Sequence, residues 1–277
     1  MNEAHIKAIL RAYVPREVRN WLRSPAQSAQ WLWRSGLGRM GRNRTWTLAE
    51  GSRIICHPIA YRSVRTQAED PEQAAELASF RRHCRPGMFL FDVGANFGLF
   101  SLICVRMGGR ALAIEPSAMA AGIIRKQMQL NRTGVAMELI EAAAGEHEGF
   151  IELLSTGVIS DGFYKYEPWR DARELKRVAM TSLDRLCARA GEPSHLKIDV
   201  EGYEAAVLRG ARNLLARKSA TIFLELHNEM AKAAGEDPRF CLEELSRHGY
   251  RIYSIHGENL DWDKALNRPI CRILAAP

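Results

Sequence analysis

The sequence predicts an α/β fold with a mostly parallel, doubly wound sheet that carries an antiparallel hairpin at its C-terminal edge. Two observations support this prediction. Apolar runs that suit buried strands alternate along the chain with segments that suit helices, which is typical of a parallel sheet covered on both faces. The last two predicted strands have no predicted helix between them, so they are expected to pair antiparallel. The length of 277 residues, of which 47% are hydrophobic, suits one such domain with an appendage.

The first predicted elements are a hairpin at about 45–56 and a helix at 71–84, with Pro71 in the first turn of that helix. Residues 155–176 are rich in glycine and polar or aromatic residues and are predicted to form a loop long enough to close over a substrate. The later predicted strands span 110–115, 137–142, 150–154, 177–181, 195–200, 220–226, 250–255 and 270–275, and the predicted helices 99–107, 117–131, 203–217 and 238–248.

A strand, a glycine-rich turn and a helix are predicted in succession at Phe91-Asp92-Val93-Gly94-Ala95-Asn96-Phe97-Gly98 and the apolar stretch after it. The dinucleotide fingerprint G-x-G-x-x-G is absent, because it would need glycine at positions 96 and 99, which are occupied by Asn96 and Leu99. The pattern D-x-G-x-N-x-G instead resembles motif I of the class I S-adenosylmethionine-dependent methyltransferases. The alternative is an ordinary tight turn between a strand and a helix.

Glu115 lies at the end of the next predicted strand, 23 positions after Asp92. A carboxylate about 20 residues beyond a glycine turn is well placed to accept hydrogen bonds from ribose hydroxyls. This spacing strengthens the hypothesis that the turn binds an adenosine-type cofactor.

Positive charge is concentrated at the N-terminus, since residues 1–50 carry nine Lys or Arg and three Glu, together with four tryptophans. We therefore divide the chain into a basic, tryptophan-rich and helical extension, 1–50, and an α/β domain, 51–277. The favoured interpretation is an appendage whose tryptophans pack on the domain; the alternative is a segment that contacts a membrane surface or an anionic partner. The cysteines are scattered without metal-type spacing, and the sequence has no long apolar segment. Both observations suggest a cytoplasmic protein. The alternative is a peripheral protein at the inner face of a membrane.

Charged residues occur on two strands that the fold would bury. On the strand at 195–200, Lys197, Asp199 and Glu201 are predicted to point to one side, and Glu225 and His227 alternate with leucines on the strand at 220–226. Buried charges are costly unless they are paired or functional. Polar residues at the carboxyl ends of two adjacent strands indicate a ligand-binding crevice.

Five segments, in order, resemble the signature blocks of the FkbM-type methyltransferases. They are Phe91–Gly98, Ile114-Glu115-Pro116, Ala142-Ala143-Ala144-Gly145, the run from Leu196 through Asp199-Val200-Glu201-Gly202 to Ala211, and Leu224-Glu225-Leu226-His227. The resemblance extends from about residue 70 to about 250. It implies a Rossmann-like class I methyltransferase fold and O-methylation of hydroxyls on sugars, glycolipids or polyketide-like natural products, with S-adenosylmethionine as the cofactor.

In this interpretation Asp92 and the backbone of Gly94, Asn96 and Gly98 hold the methionyl part of the cofactor. Glu115 holds the ribose, and Glu141 and Ala142 lie near the adenine. His227 is the candidate base because the ordinary pKa of histidine, about 6.5, is closest to neutrality. Asp199 is the alternative base, or it holds the acceptor and the ammonium group of the cofactor.

Two other interpretations of these charged residues remain open. Asp199, Glu201 and His227 have the donor types that bind Mg²⁺ or Mn²⁺. In a purely structural interpretation, Lys197 and Glu225 form an internal ion pair and Glu201 caps a helix.

At the level of function, the alternatives are a nucleic-acid methyltransferase that uses the basic extension and a non-catalytic cofactor-binding or membrane-associated protein. Nucleic acid is disfavoured as a partner because no known binding module is visible. The expected partner is a hydroxylated small molecule or a glycan.

Overall fold

The computed structural model describes residues 42–48, 51–155 and 174–277. The chain divides into two compact units, Met1–Asn43 and Arg44–Pro277, and the second contains the sheets and helices of the described ranges. Most of the predicted basic extension, and most of the predicted loop at 155–176, lie outside the described residues. None of the helices in the described ranges combines the length and the apolar character needed to cross a membrane.

The centre of the fold is a seven-stranded sheet. Its strands, in chain order, are β3 (Phe89–Val93), β4 (Arg110–Ile114), β5 (Met137–Ile140), β9 (His195–Ile198), β10 (Thr221–His227), β11 (Arg251–Ser254) and β12 (Ile270–Ala276). Their order across the sheet is β11-β12-β10-β9-β3-β4-β5. Strands β10, β9, β3, β4 and β5 run parallel, whereas β12 pairs antiparallel with both β10 and β11. This arrangement confirms the predicted parallel sheet and its antiparallel C-terminal edge hairpin.

Helices cover both faces of this sheet. They are α1 (Pro58–Glu69), α2 (Pro71–His83), α3 (Leu99–Arg106), α4 (Ala118–Asn131), α5 (Leu183–Ala190), α6 (Glu204–Arg209), α7 (Arg212–Arg217), α8 (Asn228–Ala233), α9 (Arg239–Arg247) and α10 (Trp262–Leu266). Alternate side chains of β3 enter different cores: Phe91 packs with residues of α5, α6 and α9, and Leu90 packs with residues of α2, α3 and α4. The fold is therefore doubly wound, as predicted.

Two smaller sheets complete the described part of the chain. Strands β1 (Arg44–Thr47) and β2 (Arg53–Cys56) form the predicted N-terminal hairpin. The side chain of Asn131, at the end of α4, bonds both backbone groups of Ile55, through Oδ1 at 2.9 Å and Nδ2 at 2.8 Å. A three-stranded sheet contains β6 (Ala143–Ala144), β7 (Gly149–Ser155) and β8 (Glu174–Thr181), so the strands predicted at 150–154 and 177–181 do not join the main sheet.

The structure differs from the sequence prediction at several helices. The helix predicted over 203–217 is broken into α6 and α7 near Gly210, where a Cβ would lie 2.0 Å from the backbone oxygen of Gly145. Helices α1, α5, α8 and α10 were not predicted, and three of them are short enough for their periodicity to be weak. Strand β5 ends at Ile140, so Glu141 and Ala142 follow the strand instead of closing it.

Candidate active site

The glycine turn passes directly beneath the end of β9. Gly94 has a φ of +77°, and a Cβ placed on it would lie 1.8 Å from the backbone oxygen of Asp199. Only glycine permits this approach. Two later residues of the turn also have positive φ angles: Asn96 has a φ of +50°, and Gly98, which directly precedes α3, has a φ of +72°.

Two carboxylates fix the shape of this turn. Asp92, at the end of β3, accepts hydrogen bonds from the Ser101 backbone N–H at 3.0 Å and from the Ser101 hydroxyl at 2.6 Å, so it secures the first turn of α3. Burial raises the pKa of Asp92 to about 6, despite these hydrogen bonds. Glu115 accepts hydrogen bonds from the backbone N–H groups of Asn96 at 2.7 Å and Ser117 at 2.8 Å.

Glu115 is buried at the end of β4, and this burial raises its pKa to about 8. Each of its carboxylate oxygens has two lone pairs and accepts one of the two backbone hydrogen bonds. When Glu115 is ionised, a lone pair on each oxygen therefore remains for a hydroxyl group. This geometry suits the predicted contact with a ribose.

A cleft opens beside the turn, and we call it the glycine-turn cleft. Its lining includes Asp92, Gly94, Asn96, Phe100, Lys197 and Asp199. Within the described residues, the buried Oδ1 of Asn96 has no hydrogen-bond partner, so the cleft offers an acceptor that a polar ligand would satisfy. Further along the same sheet edge, Ala142 is buried and Glu141 forms an ion pair with Arg125 of α4.

A network of buried charges lies next to this cleft, at the carboxyl ends of β9 and β10. Its members, which we call the charged cluster, are connected by contacts shorter than 4 Å and are Glu76, Lys197, Asp199, Glu204, Glu225, His227 and Arg272. A second pocket is lined by members of the cluster from α2, β10 and β12, and it shares Phe100 and Asp199 with the glycine-turn cleft.

Lys197 is at the centre of the charged cluster and is only 2% exposed. Its Nζ lies 2.9 Å from Glu76 Oε1 and 3.6 Å from Glu225 Oε2, so the predicted ion pair between Lys197 and Glu225 is confirmed. Burial alone would lower the pKa of Lys197, but the surrounding carboxylates outweigh it and hold that pKa above its ordinary value. Lys197 is therefore a permanent cation.

His227 is held at the end of β10 by Glu204. Its Nδ1 lies 2.8 Å from Glu204 Oε1, which also accepts the backbone N–H of Gly202 at 2.9 Å. Burial alone would lower the pKa of His227, but the hydrogen bond with Glu204 and the nearby Asp199 and Glu225 carboxylates raise it to about 9. When no other cation is bound beside it, His227 is thus surrounded by carboxylates that favour its protonated form. The prediction of His227 as the base rested on the ordinary pKa of histidine, from which this site departs.

Glu201 lies apart from the other two residues that were predicted with it. Strand β9 ends at Ile198, and Glu201 has a φ of +53°, so the alternation of a strand does not extend to it. Its carboxylate instead acts on Glu115, whose pKa it helps to raise. Among the described residues, the group whose donor atoms all lie within 4.8 Å of one another is Asp199, Glu225 and His227.

The sequence interpretation missed three members of the charged cluster, namely Glu76, Glu204 and Arg272. A signal existed for Glu76, because it lies four residues before the buried Phe80 and therefore on the apolar face of α2. Arg272 alternates with the buried Cys271 and Ile273 of β12, and it bonds Glu225 Oε1 at 2.5 Å. Neither pairing is visible from the local sequence.

A family model described as the methyltransferase FkbM domain matches residues 92–252. Among solved structures, the chain is similar to the methyltransferase FkbM from Methylobacillus flagellatus KT, with 16% identity over 79% of this chain and 59% of that one and a TM-score of 0.45. It is also similar to a precorrin-6y C5,15-methyltransferase from Geobacter metallireducens GS-15, with 14% identity over 75% of this chain and 91% of that one and a TM-score of 0.42. A third similar structure is the O-methyltransferase from Bacillus cereus in complex with SAH, with 11% identity over 99% of this chain and 97% of that one and a TM-score of 0.40.

The chain thus spans less than two thirds of the Methylobacillus flagellatus protein. No curated protein matches it in sequence.

Proposed function

The chain belongs to the FkbM methyltransferase family, and from this premise we propose that it transfers a methyl group from S-adenosylmethionine to a hydroxyl of a sugar, a glycolipid or a polyketide-like natural product. One observation carries the proposal: the glycine-turn cleft and the second pocket meet at Asp199. A cofactor in the first site and an acceptor in the second would therefore share one wall, as direct transfer between them requires.

The glycine-turn cleft has the polar groups that the cofactor needs. The carboxylates of Asp92 and Asp199 line it and suit the methionyl ammonium group, and the backbone of Gly94, Asn96 and Gly98 shapes the turn below. Beyond the lining of the cleft, ionised Glu115 has lone pairs available for the ribose hydroxyls, and Glu141 and Ala142 follow β5, where the adenine is expected. When bound, S-adenosylmethionine supplies a methyl group on a positively charged sulfur.

The second pocket suits a polar, hydroxylated acceptor. Gln73, Glu76, Glu225 and Arg272 line it together with the ring of Phe100. Carboxylates accept hydrogen bonds from hydroxyl groups, and arginine donates to them. Asp199, which is the most exposed carboxylate of the charged cluster, would accept the hydrogen bond of the reacting hydroxyl and so orient its oxygen.

Calorimetric titration with S-adenosylmethionine and with NAD⁺ tests the cofactor assignment. We expect the wild-type chain to bind the first and not the second. The Glu115→Ala variant should bind it at least tenfold more weakly, which corresponds to about 1.4 kcal/mol. Glu138→Ala removes an exposed glutamate from β5 and is the matched control, which should bind like the wild type. A folded wild-type sample that fails to bind S-adenosylmethionine would refute the proposal.

Transfer of a labelled methyl group then tests the acceptor class. Label should appear in glycans, glycolipids or other hydroxylated small molecules, and it should survive mild base if it is held as an ether. Labelling of RNA or DNA alone would contradict the proposed acceptor while leaving the cofactor assignment in place.

A further inference from the structure

The three donor groups of Asp199, Glu225 and His227 converge on one point at the carboxyl ends of β9 and β10. His227 Nε2 lies 3.7 Å from Asp199 Oδ1 and 3.6 Å from Glu225 Oε1. We propose that these three residues bind a divalent cation of the Mn²⁺ or Mg²⁺ class beside the second pocket. This ligand set replaces Glu201, which the sequence suggested, with Glu225.

The distances between these donors are unsuited to hydrogen bonds but suited to a shared ion. At 3.6 and 3.7 Å, His227 Nε2 is too far from either carboxylate oxygen for a hydrogen bond. Ligands at right angles around a metal, each about 2.1 Å from it, are about 3 Å apart. The two distances from His227 Nε2 therefore need to shorten by about 0.6–0.7 Å.

His227 is already oriented as a metal ligand. Its side chain is 7% exposed, and within the described residues Nε2 makes no hydrogen bond while Nδ1 is held by Glu204 at 2.8 Å. A carboxylate on one ring nitrogen keeps a proton there, so a metal ion that displaces the second proton meets the lone pair of the other nitrogen, an arrangement found at most metal-bound histidines. Glu204 is thus a positioning residue for the proposed site.

The charge of the cluster also favours a divalent cation. The charged cluster contains four carboxylates, and its permanent cations are Lys197 and Arg272. With all four carboxylates ionised and His227 neutral, there are two more negative than positive charges, which one divalent cation balances. A proton on His227 balances only one of them.

The other contacts of Glu225 limit the strength of this site without removing it. Arg272 bonds Oε1 at 2.5 Å and Lys197 lies 3.6 Å from Oε2. A carboxylate oxygen has two lone pairs, so Oε1 can bind a metal and still accept from Arg272. One imidazole and two carboxylates favour Mn²⁺ over Mg²⁺, because magnesium prefers oxygen ligands only.

The role of the cation rests on the proposed function. A bound divalent ion lowers the pKa of a hydroxyl group that coordinates it. The hydroxyl proton would leave to water through the open side of the second pocket. The acceptor oxygen would then form a bond to the methyl carbon as the carbon–sulfur bond breaks, and that electron pair would remain on sulfur.

Electron paramagnetic resonance of Mn²⁺ tests the site independently of methyl transfer. The full chain, stripped of metal, is titrated with MnCl₂, and the free-ion signal is measured. We expect saturable binding of one Mn²⁺ per chain, displacement by excess Mg²⁺, and at least tenfold weaker binding by His227→Gln. Glu204→Gln should weaken binding by about tenfold, since changes to groups behind a ligand typically cost that much. Glu229→Gln, an exposed change on α8, is the control.

The absence of saturable Mn²⁺ binding by the wild type would overturn the proposal, as would equal binding by His227→Gln and the wild type. Circular dichroism and urea unfolding establish whether each variant is folded. If His227→Gln does not fold, Asp199→Asn, which changes the most exposed of the three ligands, provides a second test. Calorimetry with S-adenosylmethionine on the same samples separates the two proposals. A chain that binds the cofactor but not Mn²⁺ refutes only the metal site, and the reverse result refutes only the proposed function.

Discussion

Replacing Lys197 with methionine tests whether the charged cluster is held together by its central cation. Methionine is close to lysine in length and is compatible with burial, so the change removes a charge with little change in packing. At an effective dielectric constant of about 20, the attraction between Lys197 Nζ and Glu76 Oε1 at 2.9 Å is about 6 kcal/mol. Desolvation of both ions opposes this attraction.

The net loss of unfolding free energy for Lys197→Met is therefore expected to be about 3–5 kcal/mol, the usual cost of leaving a buried charge without its partner. Urea unfolding at pH 7.5 measures it, without cofactor, so that stability alone is read. Lys126→Met changes an exposed lysine of α4 and should cost less than about 0.5 kcal/mol.

The loss should also depend on pH, because it arises from ionised carboxylates. Burial already raises the pKa of Glu225 to about 7, and without the nearby Lys197 cation this folded-state pKa would rise further above its unfolded value. A carboxylate with a raised folded pKa destabilises the protein fully above that pKa, and the penalty disappears as the pH falls through it towards the unfolded value. The difference between Lys197→Met and the wild type should therefore shrink from pH 8 towards pH 5.

A compensating variant completes the test. Adding Glu76→Gln to Lys197→Met removes one of the unpaired charges and should recover at least about 1 kcal/mol, because the two residues are in contact and their effects do not add. A loss below about 1 kcal/mol for Lys197→Met, or no recovery in the double variant, would show that the cluster is not held by this cation.

Three further predictions concern the turn, the sheet and the hairpin. Gly94→Ala should abolish binding of S-adenosylmethionine in calorimetry, because its Cβ would lie 1.8 Å from the Asp199 backbone oxygen; unchanged affinity would contradict the structure of the turn. Burial lowers the pKa of His195 to about 4, so the unfolded chain binds a proton that the native state does not as the pH falls below 6.5. Between pH 7 and pH 4.5, the unfolding free energy of His195→Gln should therefore fall by about 2–3 kcal/mol less than that of the wild type. Urea midpoints that change equally with pH in the two proteins would refute this. Asn131→Ala should cost about 1–3 kcal/mol in urea unfolding, because it leaves the partly buried backbone groups of Ile55 without the partners that Asn131 provides.

The features that sequence predicted well are those set by local patterns. The turn at Gly94, the acid at Glu115 and the parallel strands around them follow from spacing and alternation within a few residues. The pair of Lys197 and Glu225 was also predictable, because both residues interrupt apolar strands that are expected to be adjacent.

The features that sequence did not predict depend on tertiary packing. Glu76 reaches Lys197 from α2, which lies more than a hundred positions earlier in the chain. Burial lowers the pKa of His227, and the hydrogen bond with Glu204, which stands on α6, is the largest of the effects that raise it. Glu201 was placed wrongly beside Asp199 because strand alternation was extended beyond Ile198, where the backbone already turns to a positive φ.

The strand register explains how the sheet tolerates so many buried charges. Asp92 of β3 is the cross-strand partner of Lys197 of β9, and Glu225 of β10 is the partner of Arg272 of β12. Four adjacent strands therefore carry charges of alternating sign on one face, and each charge has an opposite neighbour. Three surplus carboxylates lie beside this row: Glu76 shares Lys197 and Arg272 with it, whereas Asp199 and Glu204 contact His227.

This surplus is not distributed at random over the fold. Asp199 and Glu204 lie beyond the end of β9, at the edge of the sheet where the glycine-turn cleft and the second pocket meet. Purely structural ion pairs would give a balanced cluster, because excess buried charge lowers stability. A negative surplus at this edge instead attracts cations, and both a sulfonium cofactor and a divalent metal ion are cations. The balanced row within the sheet thus stabilises the fold, and the carboxylates beyond the end of β9 are the ones that the two proposed ligands would contact or be oriented by.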